Sequence, residues 1–359
     1  MEAFRKTLKQ SPRPILLIAL ACFIILEVVA LNPAPLEEKA STSAEPFFTE
    51  EEAMESLSTS QKPLAPGIPT DRVPDYHTEQ YRYISLQGTL KQWKMQAESA
   101  NVYNKEKIVH SKDVTIELFD SSDKITLVTS QEAKYYFNDK EVELFGNVNI
   151  TLPDGFKIKS EYLKYLTPTK ILDIPTKYFV EGKGHSQDGK RDLFFTSMGM
   201  MFDQNKNLVD LRSQTHFEMT RIERNNETTV IVSDTCRIDR NAQIATFKMN
   251  YDKAYTKLNQ PNLYVQSRKM DLFYSGSSEL LEYLFAKDDV YIEESKNGKK
   301  VKTGTCQLAK FDNKKNFIIM TQFPQVYQDK NTVTGDRIIM DRDHDLIEVE
   351  QSNAFSNGN

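Results

Sequence analysis

Among its 359 residues the chain has only three cysteines, five histidines, one tryptophan and 13 glycines. Each scarcity removes a class of function. Cys22 lies in an apolar N-terminal run, which leaves Cys236 and Cys306. They are small side chains suited to burial; in an oxidising compartment they are also a disulfide candidate, whose closure needs a separation that sequence does not give. The histidines, His77, His110, His185, His216 and His344, make no pair at metal-ligand spacing. Gly182-x-Gly184 has no helix after it, so it is no dinucleotide fingerprint. Asp341-x-Asp343-x-Asp345 opens like a calcium loop, but Leu346 stands where that loop needs glycine and Ser352 where it needs glutamate. It reads as a solvated turn. No Ser-, Cys- or carboxylate-based catalytic set is visible, so the expectation is a protein that is not an enzyme and needs no cofactor.

A basic stripe is missing as well. The net charge of −5 is uneven: residues 1–14 carry +3, residues 32–75 carry −6, and residues 76–359 are close to neutral. A near-neutral body lacks the electrostatic footprint of a nucleic-acid binder. The one long hydrophobic run is Ile15 to Leu31, broken only by Glu27 and preceded by Arg5, Lys6, Lys9 and Arg13. Its length is near the minimum for a membrane-spanning helix. The basic flank keeps the N-terminus cytoplasmic. We therefore expect a cytoplasmic N-terminus at 1–14, an uncleaved anchor at 15–31 with a cleaved signal peptide as the alternative, and the bulk of the chain on the outer side of the membrane. Residues 32–75 hold seven of the 14 prolines and nine acids, a composition that predicts a flexible acidic linker.

From Tyr76 onward the residues present are those of strands. Val142 and Leu144, then Val148, Ile150 and Leu152, alternate with polar residues, the period of a strand with one dry face. Asn138-Asp139-Lys140 and Pro153-Asp154-Gly155 read as turns, and Gly146, inside a strand pattern, as a bulge or a bend between sheets. Segment 277–286 is ambiguous, and the repeat frame makes Leu280 to Phe285 a strand. The 20 phenylalanines and 16 tyrosines suffice to fill a core.

A short phrase recurs eight times: a Ser or Thr (once Ala), an apolar or small residue three positions on, another two further. It reads Ala97-Ala100-Val102, Ser130-Ala133-Tyr135, Ser160-Leu163-Tyr165, Thr196-Gly199-Met201, Ser233-Cys236-Ile238, Ser267-Met270-Leu272, Thr303-Cys306-Leu308 and, loosely, Thr334-Arg337-Ile339. A fixed period near this length means one supersecondary unit stacked many times. Each unit is expected to be a long bent hairpin, with the middle slot facing a dry interior. The polar stretch Thr220 to Glu227 is the expected weak point between four units and four.

These residues resemble a known family. Trp93-x-Met95-x-Ala97-x-x-Ala100, Ala133-x-Tyr135, Leu144-x-Gly146-x-Val148-x-Ile150, Asp154-Gly155 and Ser160-x-x-Leu163-x-Tyr165 resemble the LptC family, inner-membrane proteins of the lipopolysaccharide export bridge. Val333-x-Gly335-Asp336-x-Ile338-x-Met340-Asp341 with Leu346-Ile347-x-Val349 is similar to the LptA/OstA module. The resemblance implies an all-β body of two OstA/LptA-like β-jelly rolls after one N-terminal transmembrane helix, an LptC-like roll at 76–222 and an LptA/OstA-like roll at 228–355. It departs from the family in having the second roll and the long acidic linker.

The function implied is a bridge that accepts lipopolysaccharide from an inner-membrane ABC transporter with LptF/LptG-like permease subunits and passes it to a periplasmic LptA-like protein. Alternation nominates Leu144, Val148, Ile150, Ile158, Leu163 and Tyr165 in the first module and Leu272, Leu284, Val290 and Ile292 in the second as lining an acyl-chain groove; ordinary core packing is the competing assignment for each. Strand addition at the ends nominates Tyr83, Leu86 and Trp93 at the transporter edge, on a first strand near Tyr81 to Ala97. It nominates Ile347 and Val349 at the far edge. The rival reading is an anchored β-repeat structural protein or adhesin without lipid cargo.

Overall fold

A computed structural model describes residues 72–120, 124–186, 189–222, 227–251, 254–275, 281–296, 298–328, 331–351 and 353–356. The expected anchor at 15–31 and all but the last four residues of the expected linker lie outside them. Among the described residues there is no helix. The body begins at Arg72, which pairs with Glu106, and at Asp75, whose N–H donates to the Val102 carbonyl.

Eight long strands come first: β1 (Tyr76–Gln87), β2 (Leu90–Tyr103), β3 (Ile108–Phe119), β4 (Ile125–Tyr136), β5 (Glu141–Thr151), β6 (Lys157–Leu166), β7 (Ile171–His185) and β8 (Arg191–Asp203). Most later strands are interrupted midway. β9 (Leu208–Leu211) continues as β10 (Thr215–Arg221), and β11 (Glu227–Ser233) as β12 (Thr235–Asp239). β13 (Ile244–Lys248) precedes β14 (Thr256–Gln260), and β15 (Leu263–Ser267) runs into β16 (Lys269–Tyr274). β17 (Leu281–Lys296) and β18 (Lys299–Asp312) are again long. β19 (Phe317–Thr321) and β20 (Gln325–Gln328), β21 (Asn331–Thr334) and β22 (Arg337–Asp341), and β23 (Leu346–Glu350) and β24 (Asn353–Ser356) close the series.

Every pairing is antiparallel, and each strand bends once, so its two arms join two different ladders. One ladder runs β8–β9–β12–β13–β16–β17. The other runs β8–β10–β11–β14–β15–β17. The two sets of arms face each other across one hydrophobic core. Contacts between the layers are aromatic at several points: Trp93 meets Tyr135 edge-on at 5.0 Å, and Phe217 meets Phe247 at 5.8 Å. The strands that flank the expected weak point, β10 and β11, pair Thr215 to Arg221 with Glu227 to Ser233 in unbroken register.

Two devices mark the bends. In β4, β8, β11–β12 and β15–β16 a serine on the inward face donates its hydroxyl to the carbonyl two residues on: Ser130 to Glu132 at 2.9 Å, Ser197 to Gly199 at 2.9 Å, Ser233 to Thr235 at 3.0 Å and Ser267 to Lys269 at 2.9 Å. This local bond competes with the ladder and turns the strand. Left-handed residues stand at the bends of β3, β5, β9–β10, β17 and β19–β20: Asp113, Asn147 beside Gly146, Gln214, Asp288 and Gln322 all have φ between 49° and 63°. β8 has both devices, with Gly199 at φ +76°.

The bends also correct the frame of the repeat. In three copies the inward residues are Ser197-Met200-Phe202, Cys306-Ala309-Phe311 and Gly335-Ile338-Met340, rather than the triplets beginning at Thr196, Thr303 and Thr334. Met200, Ala309 and Ile338 are fully buried. The three threonines carry the expected hydroxyl but stand on the outward face. Arg337 is therefore not in the inward slot; it reaches out to Glu350 at 2.8 Å. Cys236 and Cys306 occupy different slots, and both are free buried thiols.

In the layer that contains β9, β12 and β13, strands are joined by four-residue turns that stack. The first N–H of a turn donates to the last carbonyl of the turn before: Phe137 to Lys107, Thr167 to Lys140, Gln204 to Lys170, Arg240 to Asn207 and Arg342 to Asn316, all at 3.0–3.2 Å. An aspartate before the later turns caps them, as Asp203, Asp239, Asp312 and Asp341 accept backbone N–H groups. The calcium-like stretch is thus an Asp-capped turn.

His344 in that turn lies 2.8 Å from Asp341. The hydrogen bond to Asp341, and then its charge, raise the imidazole above its ordinary value. A raised histidine contributes stability that is complete below its unfolded pKa and is lost as pH rises through the folded one. We expect the His344 ring to titrate by NMR above an unperturbed histidine, and Asp341→Asn to bring it back; an unchanged midpoint in that variant would contradict the assignment.

Candidate functional site: an apolar interior with a charged rim

Strand alternation sends one face of every arm into the space between the layers. Over most of the body that space is filled. Leu144, Val148, Ile150, Leu163 and Tyr165 are all buried in the packed core, as are Leu284, Val290 and Ile292. The exception lies where β6–β8, β10 and β11 of one layer face β9, β12, β13, β16 and β17 of the other. There the layers leave a partly open cavity of about 170 Å³. Of the ten groove candidates, Ile158 and Leu272 line it. Each comes from a different half of the chain, so the cavity bridges the two expected modules.

The remaining walls are residues not nominated for the groove, although alternation does mark Leu152 as inward. Leu152, Phe156, Leu193 and Phe195 come from the first half; Phe217, Met219, Ile231 and Phe247 come from strands past the first module or at its end. One sequence signal for them existed. Gly182 and Gly184 face the cavity wall, and a Cβ on either would come within 2.2 Å of the Phe195 ring or 2.3 Å of the Phe156 ring. The two glycines make room for these rings, which stack at 5.8 Å. Gly-x-Gly here is a packing device.

The polar groups on the lining are few: Asp154, His185, Thr229, Arg240 and Tyr274. An apolar cavity of comparable size, roughly 150 Å³, stays dry and takes up an apolar ligand. Asp154 sits in the β5–β6 turn, where its carboxylate accepts the Phe156 N–H. Arg240 opens the β12–β13 turn. Its Nη2 donates to Asp154 Oδ2 at 2.6 Å, a pair that spans the rim from one layer to the other. Further polar contacts cross between layers, among them Lys170 to the Phe119 carbonyl, Arg342 to Glu294, Lys302 to Asp345 and Tyr83 to Tyr135. A second cavity, of about 10 Å³, lies near Arg342, and Leu281 lines both cavities.

The two buried cysteines are not activated thiols. Burial pushes the Cys306 thiol up to about 12 and the Cys236 thiol higher still. Among the described residues no cluster of His, Cys, Asp or Glu is placed to hold a metal ion.

Among the described residues the array ends in strands with one partner each. β1 pairs only with β2 there, and it exposes Tyr76, Ile84 and Leu86. At the far end β23 pairs only with β22, with Ile347 and Val349 half-buried against the core. Tyr83 packs on Trp93 at 5.1 Å. Trp93 itself is no edge residue: it is fully buried on the inward face of β2, which has β1 on one side and β3 on the other. The segment near Tyr81 to Ala97 is a hairpin turning at Gly88, not one strand.

Comparison with known proteins adds two matches along the chain. Residues 54–223 match the family model described as lipopolysaccharide-assembly, LptC-related. Residues 230–345 match the one described as LptA/(LptD N-terminal domain) LPS transport protein. No curated protein matches the chain. Among solved structures, the crystal structure of LptH, the LptA-homologous periplasmic component of the lipopolysaccharide transport device from Pseudomonas aeruginosa, aligns with 12% identity and a TM-score of 0.32. The alignment covers 36% of this chain and 95% of that one.

Proposed function

Because the chain belongs to the LptC family and carries a second, LptA-like module, we propose that it is a membrane-anchored periplasmic bridge for lipopolysaccharide. On this reading it accepts the lipid from an inner-membrane ABC transporter with LptF/LptG-like permeases and passes it through its β interior to an LptA-like partner. The two modules, 76–222 and 228–355, act as one conduit. The observation that carries this reading is the apolar cavity walled by both of them. Lipopolysaccharide acyl chains need shelter from water, and each buried methylene contributes about 0.8 kcal/mol. Moving a chain between similar apolar sites is then nearly isoenergetic, so direction comes from the transporter. The β1 edge, with Tyr83 and Leu86, serves the transporter side; β23, with Ile347 and Val349, serves the next bridge unit by strand addition.

The test is photo-crosslinking in cells. A photoreactive residue at Phe217 or Met219 in the cavity should trap lipopolysaccharide, whereas one at Leu144 or Leu163 in the packed core should not. Labelling confined to the core positions, or absent everywhere, sinks the proposal. Ala245 lines the cavity and is small. Ala245→Phe should fill the void, hold or raise the melting temperature, and abolish cavity labelling. Undiminished labelling in a folded Ala245→Phe protein counts against the cavity as the lipid site.

A further inference from the structure

The Arg240–Asp154 pair differs from the other cross-layer contacts in what lies behind it. Lys170 reaches the Phe119 carbonyl where the first module is packed, and Arg342 reaches Glu294 beside a void of about 10 Å³. These contacts can only hold the layers together. Arg240 and Asp154 both line the cavity of about 170 Å³, and their side chains are each 29% exposed, so solvent reaches them from outside. They come from turns 86 positions apart in the chain, one on each layer. Separating them therefore parts the layers at the cavity's rim.

The chemistry of the pair suggests what would separate it. A guanidinium binds phosphate in the same forked geometry as carboxylate. An ion pair this exposed adds little net stability, so a competing anion displaces Asp154 at small cost. A free anion gains nothing more. An anion tethered to an acyl chain also gains the burial of that chain behind the rim.

Resting on the lipid-bridge reading above, we propose that Arg240 and Asp154 form an anion-operated latch: the phosphate head of an amphiphile takes Arg240 from Asp154, and its chain enters the cavity sideways through the parted rim. Arg240 then anchors the head, and Asp154 recloses on it when the lipid leaves. The route is lateral, through the middle of the body, rather than end-on through the packed interior of the first module.

The experiment uses the full chain in phosphatidylcholine nanodiscs and two probes with the same diazirine-bearing dodecyl chain, one a phosphate monoester and one a neutral alcohol. Labelling of the cavity strands is quantified by mass spectrometry. Wild type should prefer the phosphate probe. Asp154→Asn, which weakens the latch but keeps the anchor, should raise phosphate-probe labelling by about 2–5-fold, the span set by an exposed ion pair. Arg240→Gln should bring the two probes to equal labelling, with the neutral probe at or above its wild-type level. Arg240→Lys should restore part of the preference. Inorganic phosphate added to the neutral probe should leave its labelling below that of the phosphate probe. The latch is overturned if Arg240→Gln lowers both probes alike, if the preference survives in that variant, or if free phosphate reproduces the effect of the tethered head. Failure of either probe to label the cavity in wild type overturns the lipid-bridge reading as well.

Discussion

Gly199→Ala is expected to be among the most damaging single-methyl changes in the body, costing about 2–5 kcal/mol. Gly199 lies at the bend of β8 with φ +76°, a left-handed conformation that side chains resist. A Cβ there would stand 2.8 Å from the Cα and the nitrogen of Thr176 and 3.0 Å from the Ile174 carbonyl. These are backbone atoms of β7, so no rotamer change relieves the clash. The Gly199 carbonyl also accepts two hydrogen bonds, from Ser197 Oγ at 2.9 Å and from the Arg212 N–H at 3.2 Å. Moving the residue loosens both. Gly155 is the control: its φ is +85°, but nothing lies within 4 Å of a Cβ. Gly155→Ala should cost only the conformational strain, about 1–2 kcal/mol. Denaturant midpoints followed by circular dichroism check both. Equal losses for the two variants would show that the approach of β7 to β8 is not what the glycine serves.

Trp93→Ala should cost a similar amount, about 3–5 kcal/mol, by a different route. The indole is fully buried and contacts Tyr83 at 5.1 Å and Tyr135 at 5.0 Å, so it joins β1 and β2 of one layer to β4 of the other. Its truncation leaves a void that three strands cannot collapse around together. The ring nitrogen, however, is buried with no hydrogen-bond acceptor, and an orphaned donor of this kind costs about 1–3 kcal/mol. Trp93→Phe discards that donor while keeping an aromatic ring, so it should be far milder than Trp93→Ala. Since Trp93 is the single tryptophan, its emission in wild type should be blue-shifted and shielded from iodide. An emission maximum typical of exposed indole would place the ring outside the core and remove the basis for both expectations.

Much of this architecture is legible because strands carry a two-residue period and turns carry distinctive residues. The turns at Asn138-Asp139-Lys140 and Pro153-Asp154-Gly155 and the bend at Gly146 lie where the residues indicate. The repeat is legible too, although in three copies the hydroxyl of Thr196, Thr303 or Thr334 stands on the outward face and the inward residue is Ser197, Cys306 or Gly335, which have in common only a small size. The cavity is not legible in this way. Alternation tells which side chains point inward, not whether an inward side chain meets a partner. Leu144 and Ile158 look alike in that pattern; Leu144 is packed and Ile158 faces a void, because the separation of the layers at each point depends on strands far apart in sequence. Trp93 was misplaced for the same reason: its neighbours β1 and β3 both cover the strand that seemed to be an edge.

The antiparallel pairing has a consequence for how such a body can change in length. Neighbouring strands run in opposite directions, and the four serine bends all lie in strands that run the same way. Losing one strand would reverse the direction of everything after it and exchange the two rows of turns, moving the capping aspartates to the wrong side. Losing or gaining two restores direction, bend and turn together. Length is therefore quantised in pairs of strands, and insertions or deletions of whole pairs are the ones that leave both terminal strands in their original direction.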